Sequence, residues 1–166
     1  MPFETGNQIR SFRSIDGGAS WRSTVAVATV QHHTEAGNLR SGSLPTAEID
    51  SAGIGIDRNT SGTTARIGVT YYFYPVSNCT AATCQLSVGF ISSTNGGTSW
   101  STATQVAGPM TLASIPNTSQ GRMFGDYIST SVRPGGNAFP VIPIASAPSG
   151  TTFNMGMFVP TNGLAI

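Results

Sequence analysis

The stretch SIDGGASW, residues 14–21, combines an acid, two glycines and a tryptophan in the setting of a turn. A second stretch, STNGGTSW at residues 93–100, repeats this frame with Asn95 at the position of Asp16. A Gly-Gly pair supplies the positive φ angles of a tight hairpin, and an Asp or Asn before it accepts hydrogen bonds from backbone N–H groups of the turn. Because an asparagine cannot act as a general acid, the exchange predicts that Asp16 holds a bend and takes no part in chemistry.

The sequences around both octapeptides are typical of β-strands. Short runs rich in β-branched and aromatic residues are bounded by Gly, Pro, Asn or Ser, as strands of an all-β protein are. No run keeps a helical period over several turns, which predicts little helix. We expect nine strands, at residues 8–14, 23–30, 46–50, 65–75, 85–93, 102–107, 126–132, 138–145 and 152–159. Each octapeptide then joins two strands of a hairpin.

Both octapeptides resemble the Asp-box, or BNR repeat, of the sialidase-like β-propellers. In that family the box is a hairpin between the third and fourth strands of a blade, its Trp packs into the blade, and it lies away from the active-site face. The resemblance extends over residues 8–160, where LRSGSLPTAEIDSAG, SQGRMFGDYISTSV and AFPVIPIA look like the C-terminal part of secreted BNR-repeat, glycosyl hydrolase-like proteins. It implies a structural role for Ser14, Asp16, Gly17, Gly18, Ser20, Trp21, Ser93, Asn95, Gly96, Gly97, Ser99 and Trp100.

The fold that the resemblance implies is all-β, with antiparallel four-stranded blades of a sialidase-like β-propeller. Position 95 lies 79 residues after position 16, which suits a blade with a loop insertion. We expect a single module with the end of one blade at residues 1–30, a full blade with its Asp-box at 45–107 and a last blade at 122–160. Nine strands make about two to two and a half blades, whereas propellers close with about four to eight. The expectation is therefore a fragment of a longer protein, or a chain that completes a ring with copies of itself.

The chemistry that the resemblance implies is glycoside hydrolysis. Sialidases hold a substrate carboxylate with three arginines and use a Tyr nucleophile assisted by a Glu, together with an Asp acid. An Arg fork pairs a carboxylate bidentately, and a neighbouring carboxylate makes a phenol nucleophilic. The candidates here are Tyr127, Glu48 and Asp126 as catalytic residues and Arg40, Arg122 and Asp50 as substrate-binding residues. Structural roles compete with each of these, since Asp residues cap turns and Arg122 can pair with Asp126.

Two functions stay open at this point. One is an extracellular, exo-sialidase-like glycoside hydrolase, although no complete arginine triad can be assigned. The other is a non-catalytic propeller that binds a carbohydrate or a protein, or the structural C-terminal fragment of a larger enzyme. The expected partner in both cases is a glycan or another extracellular polymer, and no cofactor is expected.

The composition restricts the partners and the compartment. Charged residues make up 9% of the 166 residues and the net charge is +1, which argues against nucleic-acid binding. No run approaches the roughly 20 apolar residues of a membrane helix. A low-charge, hydroxyl-rich chain favours a secreted or extracellular protein. The N-terminal residues lack the pattern of a secretory signal, so an exported protein would carry its signal outside this sequence.

The cysteines and histidines are the residue types that most often ligate a transition metal. Cys79 and Cys84 are close enough in sequence for a small disulfide ring, which we favour over free thiols and which suits an oxidising compartment. His32 and His33, with Glu35 nearby, could bind a metal or act as acid and base. Adjacent strand residues point to opposite faces, so a polar loop is favoured and no metal site is expected.

Overall fold

The fold is all-β, as predicted. The computed structural model describes residues 2–5, 8–29, 52–76, 78–123 and 128–166. Within these ranges the chain forms twelve β-strands, and its helices are two single 3₁₀ turns, Gly62–Thr64 and Leu112–Ser114. The strands form three larger antiparallel sheets and one small hairpin.

The first sheet contains β1 (Pro2–Thr5), β2 (Gln8–Ser11) and β3 (Val25–Thr29), in that order. The first octapeptide lies in the connection between β2 and β3. The sequence predicted two strands in this region, and β1 is the addition. Its sequence, PFET, contains Pro and Glu, which are depleted in strands, so composition gave no signal for it.

The second sheet has four antiparallel strands in sequence order. These are β4 (Ala52–Ile56), β5 (Ile67–Phe73), β6 (Gln85–Ser93) and β7 (Thr104–Thr111). The two central strands are buried along nearly their whole length, which explains their long runs of apolar and small side chains. The second octapeptide begins at the end of β6 and leads to β7, so it lies between the third and fourth strands of this sheet.

The first strand of the four-stranded sheet differs from the expectation. We predicted a strand at residues 46–50, which lie outside the described residues. The strand that pairs with β5 at the sheet edge is β4, with the sequence AGIGI. Glycine is depleted in strands because it has no side chain to pack, so the pattern at β4 was missed.

The third sheet contains β10 (Ser129–Val132), β11 (Ala138–Ser149) and β12 (Thr152–Phe158), in that order. A small hairpin of β8 (Asn117–Thr118) and β9 (Gly121–Arg122) precedes it. The link between β10 and β11 is a glycine-rich turn, closed by a hydrogen bond from Gly136 N–H to the Arg133 carbonyl oxygen. The strand predicted at 126–132 starts at Ser129, and its first part falls partly outside the described residues.

The second and third sheets pack against each other through β4 and β10. A Cβ atom built on Gly55 would lie 2.4 Å from the carbonyl oxygen of Thr130, so only glycine allows this approach. The buried Thr130 hydroxyl lies 3.0 Å from the Gly53 carbonyl oxygen and 3.1 Å from the Thr70 hydroxyl. The glycines that obscured β4 in the sequence are therefore the residues that bring the two strands into contact.

A buried ion pair joins the same two sheets at their edge. Asp57 has no exposed side-chain area, and its carboxylate lies 3.2 Å from the Arg66 guanidinium. The carboxylate also accepts the backbone N–H groups of Asn59, at 3.0 Å, and Gly135, at 2.8 Å. Arg66 donates further to the carbonyl oxygens of Gly136 and Ile166. The pair thus ties β4 and β5 to the β10–β11 turn and to the last residue of the sequence.

The core lies between the second and third sheets and extends to β3. Its largest fully buried side chains include Tyr72, Leu86 and Ile115. The Tyr72 hydroxyl donates to the Pro143 carbonyl at 2.6 Å, and burial raises the pKa of this phenol well above its usual value. Cys79 and Cys84 form the predicted disulfide in the connection from β5 to β6, with their Cα atoms 4.9 Å apart.

Candidate functional site

The first turn (residues 14–21) is organised around Asp16. One carboxylate oxygen accepts the Ser14 hydroxyl at 2.6 Å and the Ser20 N–H at 2.9 Å, and the other accepts the Ser20 hydroxyl. The Ser14 hydroxyl oxygen in turn accepts the Gly18 N–H at 2.7 Å. Gly17 and Gly18 have φ angles of 70° and 97°, which non-glycine residues rarely adopt. Every one of these carboxylate contacts lies inside the turn.

The second turn (residues 93–100) repeats this network with an amide. Asn95 Oδ1 accepts the Ser93 hydroxyl at 3.0 Å and the Ser99 N–H at 2.9 Å. Asn95 Nδ2 donates to the Ser99 hydroxyl at 2.7 Å, so this one bond runs in the opposite direction from its counterpart in the first turn. A hydroxyl can donate or accept, which is why the serine at this position tolerates both partners.

The hydrogen bonds of the first turn lower the pKa of Asp16 from 3.8 to about 2. The Ser14 hydroxyl makes the largest contribution, followed by the hydroxyl and the N–H of Ser20. A carboxyl group with this pKa is ionised at neutral pH and cannot donate a proton as a general acid. Both the hydrogen-bond geometry and the lowered pKa agree with a structural role for Asp16 in the bend.

Replacing Asp16 with asparagine should remove one source of acid sensitivity and keep the turn. A lowered carboxyl pKa contributes stability above about pH 4, and this contribution is lost as the pH falls towards about 2. We therefore expect the stability advantage of the unaltered protein over Asp16→Asn to shrink between pH 4 and pH 2 in urea unfolding. The reciprocal variant Asn95→Asp should acquire a similar pH dependence. Parallel pH profiles for all three proteins would contradict this.

The two turns differ in how they are packed. The first is open, and a Cβ atom on Gly17 or Gly18 would meet nothing within 4 Å. The second is partly buried, and a Cβ atom on Gly96 would lie 2.1 Å from the Gly62 carbonyl oxygen. Arg13, directly before the first turn, connects the two, because its Nη1 donates to the carbonyl oxygens of Asn95 and Gly96 at 3.3 and 3.2 Å.

A cleft of about 540 Å³ lies between the two turns, hereafter the inter-turn cleft. One wall comes from the first sheet and the first turn, and the other from β4, β5 and the second turn. Trp21 is 52% exposed and packs edge-on against Phe12, with ring centroids 4.8 Å apart. The apolar lining comprises Phe12, Ile15, Trp21, Val27, Ile54, Ile56, Ala65, Ile67, Val69 and Trp100.

The inter-turn cleft has few polar side chains among the described residues. Arg13 is its charged residue, and the remaining polar side chains are the hydroxyls of Ser11 and Ser14. No Asp, Glu, His, Tyr or Cys lines this cleft in the described part of the chain, so it offers no general acid, base or activated nucleophile. A volume of this size matches ligand sites, which range over about 300–1,000 Å³.

Most of the predicted catalytic and substrate-binding residues lie in parts of the chain that the structure does not describe. Tyr127, Glu48, Asp126, Arg40 and Asp50 lie outside the described residues, as do His32, His33 and Glu35. Arg122 lies on β9, where its Nη1 donates to the Ile115 carbonyl oxygen at 2.8 Å. That bond holds the β8–β9 hairpin against the end of the 3₁₀ turn that precedes it. The role of Arg122 towards a substrate stays a prediction.

Sequence reasoning did not identify Arg13 or the inter-turn cleft. Arg13 stands beside the first octapeptide, but its partners are backbone carbonyls more than 80 positions away, which no local pattern indicates. The signal for the cleft that the sequence did contain is the alternation of Ile54 and Ile56 with glycine in β4. Small residues on one face and large apolar residues on the other suggest a strand packed closely on one side and open on the other.

Comparison with known proteins returned no family model, no curated protein and no solved structure that matches this chain. The described residues include no helix long and apolar enough to span a membrane. They also include no group of three His, Cys, Asp or Glu residues placed to hold a metal ion.

Proposed function

We propose that this chain is an extracellular module of the sialidase-like Asp-box class that acts on glycans. The observation that carries the proposal is the matching hydrogen-bond network of the two turns, in which Asp16 and Asn95 play the same part. Each turn joins neighbouring antiparallel strands of its own sheet. The disulfide between Cys79 and Cys84 supports an oxidising compartment.

The finer fold that we propose is a partial β-propeller. Support comes from the four-stranded sheet β4–β7, with its turn between the third and fourth strands, and from the packing of β4 on β10. The outward face of the third sheet supports association with further copies of the chain or with the rest of a longer protein. On this face Phe153, Met155 and Met157 are 44%, 44% and 62% exposed, and side chains of this kind are usually covered.

Two activities are consistent with this class, and binding without catalysis is the better supported. The acid of the first turn is engaged within the turn, and the inter-turn cleft contains no acid or base in the described residues. Glycoside hydrolysis by Tyr127 with Glu48, with Asp126 as the acid and Arg40, Arg122 and Asp50 on the sugar, remains the alternative. It rests on the resemblance of the sequence to sialidases.

Turnover of a fluorogenic sialoside separates these two activities. For a binding module we expect saturable binding on a glycan array and no turnover above background. Hydrolysis that disappears in Tyr127→Phe, while binding persists, would instead establish the enzyme, because this change removes only the nucleophilic oxygen. Absence of both binding and turnover would contradict the proposed action on glycans.

A further inference from the structure

The inter-turn cleft is more apolar than a site for a sugar alone would require. Four large apolar side chains around it are each about half exposed: Ile15 at 54%, Trp21 at 52%, Ile54 at 45% and Ile56 at 50%. When an apolar group displaces water from apolar side chains that share one cavity, the free energy of the system falls. The cleft therefore favours an occupant with an apolar body.

The charge of the inter-turn cleft also determines which ligands it favours. Arg13 is the charged residue of the lining, and in the described part of the chain no carboxylate pairs with it. Among the described residues its hydrogen bonds, to the carbonyl oxygens of Asn95 and Gly96, both use Nη1. A guanidinium carries five N–H donors in a rigid fork, so Arg13 retains capacity for an anionic group.

We propose that the inter-turn cleft binds a small amphipathic anion, with its apolar body between Trp21 and the β4 isoleucines and its carboxylate or sulfonate on Arg13. The wall that receives the apolar body is the open face of β4, whose other face is fixed against β10 by Gly53 and Gly55. The proposed site uses neither the predicted catalytic residues nor Arg122, so this proposal and the proposed hydrolysis can fail separately.

The two tryptophans make this site directly observable. Trp21 and Trp100 are the only tryptophans of the sequence, and both line the cleft. Intrinsic fluorescence therefore reports on this region without a label. Decanoate and decanol, titrated below the concentration at which decanoate forms micelles, offer the same apolar chain with and without a negative charge.

We expect a saturable change in fluorescence with decanoate and binding of decanol that is weaker by about tenfold, because a charge-assisted hydrogen bond is lost. Arg13→Gln should weaken decanoate by about tenfold and leave decanol within about twofold, whereas Arg13→Lys should keep part of the preference for the anion. Ile56→Asn should weaken both ligands. Thermal unfolding of each variant identifies any that has lost its fold.

Val76→Asn is the matched control, because Val76 is an exposed apolar residue in the connection from β5 to β6 and is not part of the cleft lining. It should leave both titrations unchanged. Equal affinity of the unaltered protein for decanoate and decanol would overturn the role of Arg13. A fluorescence change that does not saturate, or that is lost in Val76→Asn and kept in Ile56→Asn, would overturn the site itself.

Discussion

Gly55→Ala is expected to lower the free energy of unfolding by about 3 kcal/mol, at the upper end of the cost of overpacking. The added methyl carbon would lie 2.4 Å from the Thr130 carbonyl oxygen and 3.0 Å from Cγ2 of Val132. The first of these atoms belongs to the backbone of β10, so the contact can be relieved only by moving one sheet away from the other. Urea unfolding followed by tryptophan fluorescence or circular dichroism measures the loss.

Ile54→Ala is the matched control for this change. Ile54 is the preceding residue on β4, points to the opposite face and is 45% exposed. Truncating it should cost less than about 1 kcal/mol, as changes at exposed positions usually do. Equal losses of stability in the two variants would show that the close approach of β4 to β10 does not make position 55 sensitive to an added methyl group.

The strand content was predictable from composition because the central strands have a strong pattern. β6 agrees with the prediction at both ends, and β5, β11 and β12 agree to within a few residues. Each combines β-branched or aromatic residues with Gly, Pro, Asn or Ser at its ends, so local sequence is sufficient. β4 lacked this signal because it contains glycines. These glycines allow the close approach of β10, which belongs to another sheet and comes near β4 only in the folded chain.

The candidate site was less predictable, for a related reason. The octapeptides are local, and their sequence specified the bend, the glycine conformations and the acceptor role of Asp16 and Asn95. The inter-turn cleft depends on contacts between segments far apart in the chain, such as Arg13 with the carbonyl of Gly96. A backbone carbonyl is present at every residue, so no residue type marks it as the partner of an arginine.

Arg66→Met is expected to lower the melting temperature by roughly 10 °C, because it removes the hydrogen bonds of the guanidinium to the Asp57 carboxylate and to the carbonyl oxygens of Gly136 and Ile166. Asp57→Asn should lower it further. The Asp57 oxygen that faces Arg66 also accepts the Gly135 N–H, and an amide nitrogen in that place would oppose two donors. Arg58→Met, an exposed arginine nearby, is the control and should change the melting temperature by less than about 2 °C.

The pH dependence of the same variants distinguishes the ion pair from the backbone hydrogen bonds. The N–H of Asn59 contributes most to the lowered pKa of Asp57, followed by the N–H of Gly135, while the Arg66 charge contributes less. A lowered carboxyl pKa gives stability that is present above the ordinary value and is lost as pH falls through the folded-state value. Arg66→Met should therefore retain most of this acid-dependent loss, and Asp57→Asn should remove it. Identical acid profiles for both variants would show that the two N–H groups do not hold the carboxylate ionised.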